Sequence, residues 1–116
     1  MLGALAGAAA VALGAFGAHA LKARLAPELL AVYHTAVQYH FWHALALLGV
    51  ALAWPHVPGA WLQAAGWLFV AGLLLFCGSL YALALGAPAR TGMLTPVGGL
   101  CFILAWLAFA GAALRS

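Results

Sequence analysis

Residues 33–54 read YHTAVQYHFWHALALLGVALAW, so three histidines, a glutamine and two tyrosines precede a run of hydrocarbon long enough to continue a membrane span. An ionisable or hydrogen-bonding side chain facing lipid costs several kcal/mol unless it finds a partner. The order therefore predicts a transmembrane helix whose first half faces protein or water and whose second half is plain apolar wall. At about 100° per residue, Thr35, Tyr39 and His43 form a stripe, flanked by His34 and Gln38 on one side and His40 on the other. Val37, Phe41, Ala44 and Leu48 fill the remaining arc, read here as the lipid or packing face.

The residues around this stretch agree with a membrane setting. The chain of 116 residues is 69% hydrophobic and 4% charged, against the roughly one quarter charged of a soluble domain, so its outside must be covered by lipid. Its five charged side chains, Lys22, Arg24, Glu28, Arg90 and Arg115, are too few for a nucleic-acid patch, whereas basic groups just beyond helix ends suit anionic headgroups.

Cutting at those charges and at the prolines leaves four apolar stretches near the roughly 20 residues that a bilayer requires. The expected architecture is an all-α, polytopic four-transmembrane-helix bundle with short loops, a single domain over 1–116, with helices at about 2–21, 27–54, 60–85 and 96–114. Ala18-His19-Ala20 imitates a signal-peptidase site, but the stretch lacks a basic start and its apolar core is too long, so it reads as a retained helix. Pro27 suits the first turn of the second helix, and Pro55-His56-Val57-Pro58-Gly59 makes a tight turn. Residues 86–92, GAPARTG, are again turn chemistry, and Thr95-Pro96 reads as an N-cap followed by a first-turn proline. Arg115-Ser116 is a short tail.

Lysine and arginine set the expected orientation. Loops 22–26 and 86–95 share one side and hold Lys22, Arg24 and Arg90, so they are expected in the cytoplasm, with both termini outside beside Trp54, Trp61 and Trp67. Close helix packing in lipid relies on small residues. Gly3 and Gly7 form a GxxxG pair, Ala6, Ala10, Gly14 and Ala18 continue at four-residue spacing with Gly17 alongside, Gly78 stands in the third span and Gly98-Gly99 in the fourth.

In the expected orientation His19, His34, Gln38, Tyr39, His40, His43, Ser79, Tyr81 and Thr95 all fall toward the cytoplasmic leaflet and can form one polar cluster. Three uses are open. The side chains can simply bond helices together; they can line a small-molecule or proton pathway; or His40 and His43, three residues apart, can share a metal or haem with a third ligand from another helix. Glu28 is the only acid, which excludes a catalytic carboxylate pair within one chain. No phosphate loop, nucleophile elbow or zinc-protease motif appears. No catalytic residue, metal ligand set or cofactor is therefore assigned, Cys77 and Cys101 read as inert membrane thiols, and the expected partners are the lipid bilayer and a homo-oligomer or larger membrane complex.

Four blocks then occur in order: Gly14-Ala15-Phe16-Gly17-Ala18-His19; Ala36-Val37-Gln38-Tyr39 with His43-Ala44-Leu45-Ala46-Leu47-Leu48; Leu75-Phe76-Cys77-Gly78-Ser79-Leu80-Tyr81; and Thr95-Pro96-Val97-Gly98-Gly99. With them the chain resembles the YgdD-type family of small bacterial inner-membrane proteins, a family of uncharacterised function with small mitochondrial relatives. The resemblance implies a four-helix membrane protein of the bacterial inner membrane and carries over no activity or cofactor. His40 stands where the family pattern leads one to expect glutamine, and Trp42 where it leads one to expect tyrosine. That departure speaks against a metal site built on His40 and leaves His19, Gln38 and His43 as the better candidates for a family-wide role.

Overall fold

The computed structural model describes residues 1–115; Ser116, at the end of the expected tail, lies outside them. Four helices are long and apolar enough to cross a membrane. They are α1 (Leu2–Leu21), α2 (Pro27–Ala53), α3 (Ala60–Ala84) and α4 (Leu94–Leu114), the last led in by a 3₁₀ turn at Ala89–Met93. At about 1.5 Å per residue each reaches at least the roughly 30 Å of a bilayer's hydrocarbon core. Among the described residues there is no strand.

The helix ends follow the local chemistry in three places and depart from it in one. Pro27 sits in the first turn of α2, where its missing N–H costs nothing. Gly59, at φ 143°, makes the backbone turn into α3 that a side chain would oppose. Gly86, at φ 109°, closes α3 in the same way. The departure is at α4, which begins at Leu94 rather than Pro96, so Thr95 lies inside the first turn and caps nothing. The preceding 3₁₀ turn already supplies backbone acceptors for the first helical N–H groups, and Thr95 is thereby free to bond elsewhere.

Consecutive helices run antiparallel. α1 packs on α2, α3 packs on α4 along most of its length, and α2 meets both α3 and, through aromatic side chains, α4. Among the described residues α1 and α4 share no extensive contact. The result is flat: the Cα envelope measures 49 × 27 × 16 Å, with α1 and α4 on opposite flanks. One apolar core lies between α2, α3 and α4 around Phe69, Phe102 and Ala105; a smaller one surrounds Tyr33, Leu21 and Ala84.

Glycines set how close the backbones come, and not all of those picked out by spacing do so. A Cβ on Gly98 would lie 2.2 Å from the Phe76 backbone nitrogen, and one on Gly3 would lie 2.9 Å from that of Leu48. At Gly17 it would lie 2.5 Å from the Tyr33 ring and at Gly14 3.3 Å from Val37. Gly99 makes only ordinary contact with Phe76, and Gly7 and Gly78 face open space. The buried positions of α1 are Gly3, Ala10, Gly17 and Leu21; the first three stand seven residues apart, so the seam follows the period of shallowly crossing antiparallel helices and the four-residue ridge through Gly7 and Ala18 drifts off it. Two glycines that spacing did not pick out also close an interface: Gly72 against the Phe102 ring and Gly111 against Trp61.

Candidate functional site

The polar residues of α2 separate by direction. His43 is buried and uses both ring nitrogens: Nδ1–H donates to the Tyr39 carbonyl one turn back at 2.8 Å, and Nε2 accepts from the Trp106 indole N–H of α4 at 3.1 Å. A carbonyl can only accept and an indole N–H can only donate, so these partners fix the neutral Nδ1–H tautomer. The ring also stacks on Phe102, with centroids 3.7 Å apart and planes 12° from parallel. Buried, it links α2 to α4 and has no lone pair left for a metal, although with Tyr39 and Trp106 it borders a groove of about 590 Å³.

His40 faces the other way. Its Nδ1 lies 2.9 Å from the Tyr81 hydroxyl of α3, which places a polar pair midway along α2. Tyr81 packs edge-on against Tyr33, and the Tyr33 hydroxyl donates to the Leu13 carbonyl of α1 at 2.5 Å. On the outer side of the His40–Tyr81 pair, Leu5, Leu13, Leu74 and Gly78 line an apolar groove of about 470 Å³.

A third contact joins α3 to α4. The Ser79 hydroxyl donates to the Phe76 carbonyl at 2.9 Å, and its oxygen therefore receives the Thr95 hydroxyl at 2.5 Å. It follows directly on a widened π-helical turn of α3, Leu73–Cys77, the turn against which Gly98 closes. Thr95 serves as a helix-to-helix fastener here, in place of the cap role that Thr-Pro suggests. Thr35 spends its hydroxyl locally on the Ala31 carbonyl, 3.1 Å away.

The single cluster expected from depth is therefore not formed. His40–Tyr81, His43–Trp106 and Ser79–Thr95 are separate pairs on different interfaces, and Tyr39 contributes its ring, 4.5 Å from Phe76 by centroids, together with its carbonyl. His40 and His43 diverge toward α3 and α4, so the i, i+3 spacing does not converge on one metal position. His19, His34 and Gln38 are exposed. The first two lie within about two turns of the ends of α1 and α2, where water and headgroups are in reach; Gln38 does not. Among the described residues no three of His, Cys, Asp and Glu come together.

Trp106 is the functional partner that the sequence reading missed. In a run such as LAWLAF its only signal is the indole N–H, which needs an acceptor when it lies inside a bilayer. Tyr33–Leu13 was missed because the acceptor is a backbone atom twenty residues away.

The family model described as "Protein of unknown function (DUF423)" matches residues 13–99, which contain all the inter-helix hydrogen bonds above except the one from Trp106. The chain belongs to this family. Relatives include the UPF0382 membrane protein YwdK of Bacillus subtilis, 44% identical over 116 residues covering 99% of this chain and 94% of the relative. The UPF0382 membrane protein SAB0533 of Staphylococcus aureus is 42% identical over 92% of this chain and 87% of its own length. The UPF0382 inner membrane protein YgdD of Escherichia coli is 37% identical over 90% of this chain and 80% of its own length. No solved structure matches the chain. With four bilayer-length helices and relatives named as membrane proteins over almost their full length, this member of the family is a membrane protein.

Proposed function

We propose that the chain is a non-enzymatic component of the bacterial plasma membrane that works by packing against a protein partner. The observation that carries this reading is how its polar groups are used. Among the described residues no buried side-chain nitrogen or oxygen lacks a hydrogen bond, and the bonds run between helices or back to the helix itself. A catalytic or proton-carrying group needs a free donor, acceptor or lone pair aimed at a space that a reactant can enter, whereas His43 spends both ring nitrogens inside the bundle. The flat bundle meanwhile leaves wide apolar faces on α1 and α4.

The inner-membrane name of the Escherichia coli relative supports the plasma membrane as the location, and the lysine and arginine bias supports loops 22–26 and 86–95 in the cytoplasm with the termini outside. In intact cells, Ala89→Cys should be shielded from an impermeant thiol reagent while His56→Cys, exposed in the turn between α2 and α3, reacts; the opposite pattern would reverse the orientation.

The role itself is tested with His43→Gln and His43→Leu in a deletion strain. A packing role predicts that activity in the cell follows the stability of each variant, with His43→Gln the milder. A stable His43→Gln protein that fails to complement would contradict the reading, because an amide keeps hydrogen bonding but neither titrates near neutral pH nor replaces imidazole well as a ligand.

A further inference from the structure

We propose that the groove between α1 and α2 seats a second copy of this chain, with the two Gln38 carboxamides paired across a two-fold axis along the membrane normal. The proposal rests on the partner-binding reading above and names the partner.

Gln38 is a polar residue in the middle of α2 whose side chain the bundle does not use. It lies eleven residues into α2, about 16 Å along the helix axis, and is exposed. Tyr33, Thr35, His40 and His43 on the same helix all have hydrogen-bond partners; among the described residues Gln38 has none. A carboxamide offers two donors and an acceptor, and at this depth lipid can satisfy neither. Its side chain is also too short to reach the headgroups from there. Such a group is normally matched by one on another helix.

The surroundings fit a helix. Beside Gln38 is a groove of about 490 Å³ with Ala10, Gly14 and Val37 at its base and Phe41 and Trp42 along its edge. Small residues at the base permit a close backbone approach, and the two aromatic rings supply the contact area. The exposed residues of α2 continue this face as Ala31, His34, Gln38, Phe41 and Leu45, alternating by three and four residues as in a coiled-coil seam.

The match to a second copy follows from symmetry. Two copies inserted in the same orientation run their α2 helices parallel, so Gln38 meets Gln38 at the same depth. A carboxamide is self-complementary, each amide N–H reaching the other's oxygen, which is what an isologous two-fold interface requires. One polar side chain in an apolar seam also fixes register.

The test places a photo-cross-linking amino acid at Phe41 or, on the outer face of α4, at Leu107, in native membranes. The expected result is an adduct of twice the chain's mass from Phe41, little from Leu107, and at least a fivefold loss of the Phe41 adduct in Gln38→Leu with thermal stability unchanged. Energy transfer between labelled copies in phosphatidylcholine bilayers should fall in the same variant, a readout independent of the cross-linker. An undiminished adduct or undiminished transfer in Gln38→Leu overturns the carboxamide pairing, as do equal adducts from both positions. An adduct of another mass from Phe41 overturns self-pairing but leaves the partner-binding reading in place. No adduct from either position overturns both.

Discussion

The α3–α4 seam and the α1–α2 seam are both built with glycine, yet they hold differently. Between α3 and α4, Gly98 meets the backbone of Phe76 and Gly72 meets the ring of Phe102, and the Ser79–Thr95 bond ties the same helices. Between α1 and α2, only Gly3 meets backbone; Gly14 and Gly17 meet the side chains of Val37 and Tyr33, and α1 contributes to hydrogen bonding only through its main chain, at Leu13 toward Tyr33 and at Ala6 toward His40. Backbone cannot move aside as a side-chain tip can, so the first seam is fixed and the second is adjustable. α2, α3 and α4 thus form a committed core, with α1 laid along one flank beside the groove that holds Gln38.

The sharpest way to break this contrast is Gly98→Ala. The added methyl would fall on the Phe76 main chain, and we expect a loss near the upper end of overpacking costs, about 3 kcal/mol, measured by reversible unfolding in micelles. Next comes His43→Leu, which leaves the Trp106 N–H and the Tyr39 carbonyl without their side-chain partner and should cost about 1 to 3 kcal/mol in the same assay. Gly3→Ala should cost less, about 1 kcal/mol, because its new methyl would lie 2.9 Å from the Leu48 backbone, against 2.2 Å from that of Phe76 at Gly98. Gly7→Ala should be neutral or stabilise by up to about 1 kcal/mol, since its new methyl meets nothing and alanine is the better helix former. A Gly7→Ala loss as large as that of Gly98→Ala would erase the distinction between the seams.

Much of this was legible in the residues. Span lengths, the Pro55–Gly59 turn and the first-turn proline at Pro27 are local consequences of hydrophobicity and turn chemistry, and the structure places helix ends within about a residue of them except at α4. There, a 3₁₀ turn satisfied the first N–H groups and took the cap role from Thr95. The partners of the polar residues were not legible, because depth along a helix says nothing about rotation. Gln38, His40 and His43 lie within two turns of one helix, yet His40 and His43 face α3 and α4 while Gln38 faces outward. Trp106 looked like ordinary hydrocarbon wall until the fold brought it to His43, sixty-three residues away. Gly72 and Gly111 likewise stood in no small-residue pattern, since what makes them necessary is an aromatic ring on the opposite helix.

The central claim is that the polar side chains in the spans are fasteners between helices, and the His43–Trp106 bond tests it most directly. A double-mutant cycle on His43→Leu and Trp106→Phe, followed by unfolding in micelles, isolates their interaction from the cost of either truncation. The account predicts a favourable coupling of about 0.6 to 2 kcal/mol, the range for hydrogen bonds between membrane helices. A coupling indistinguishable from zero would contradict it, because the two side chains would then contribute independently and the bond would not be holding α2 to α4.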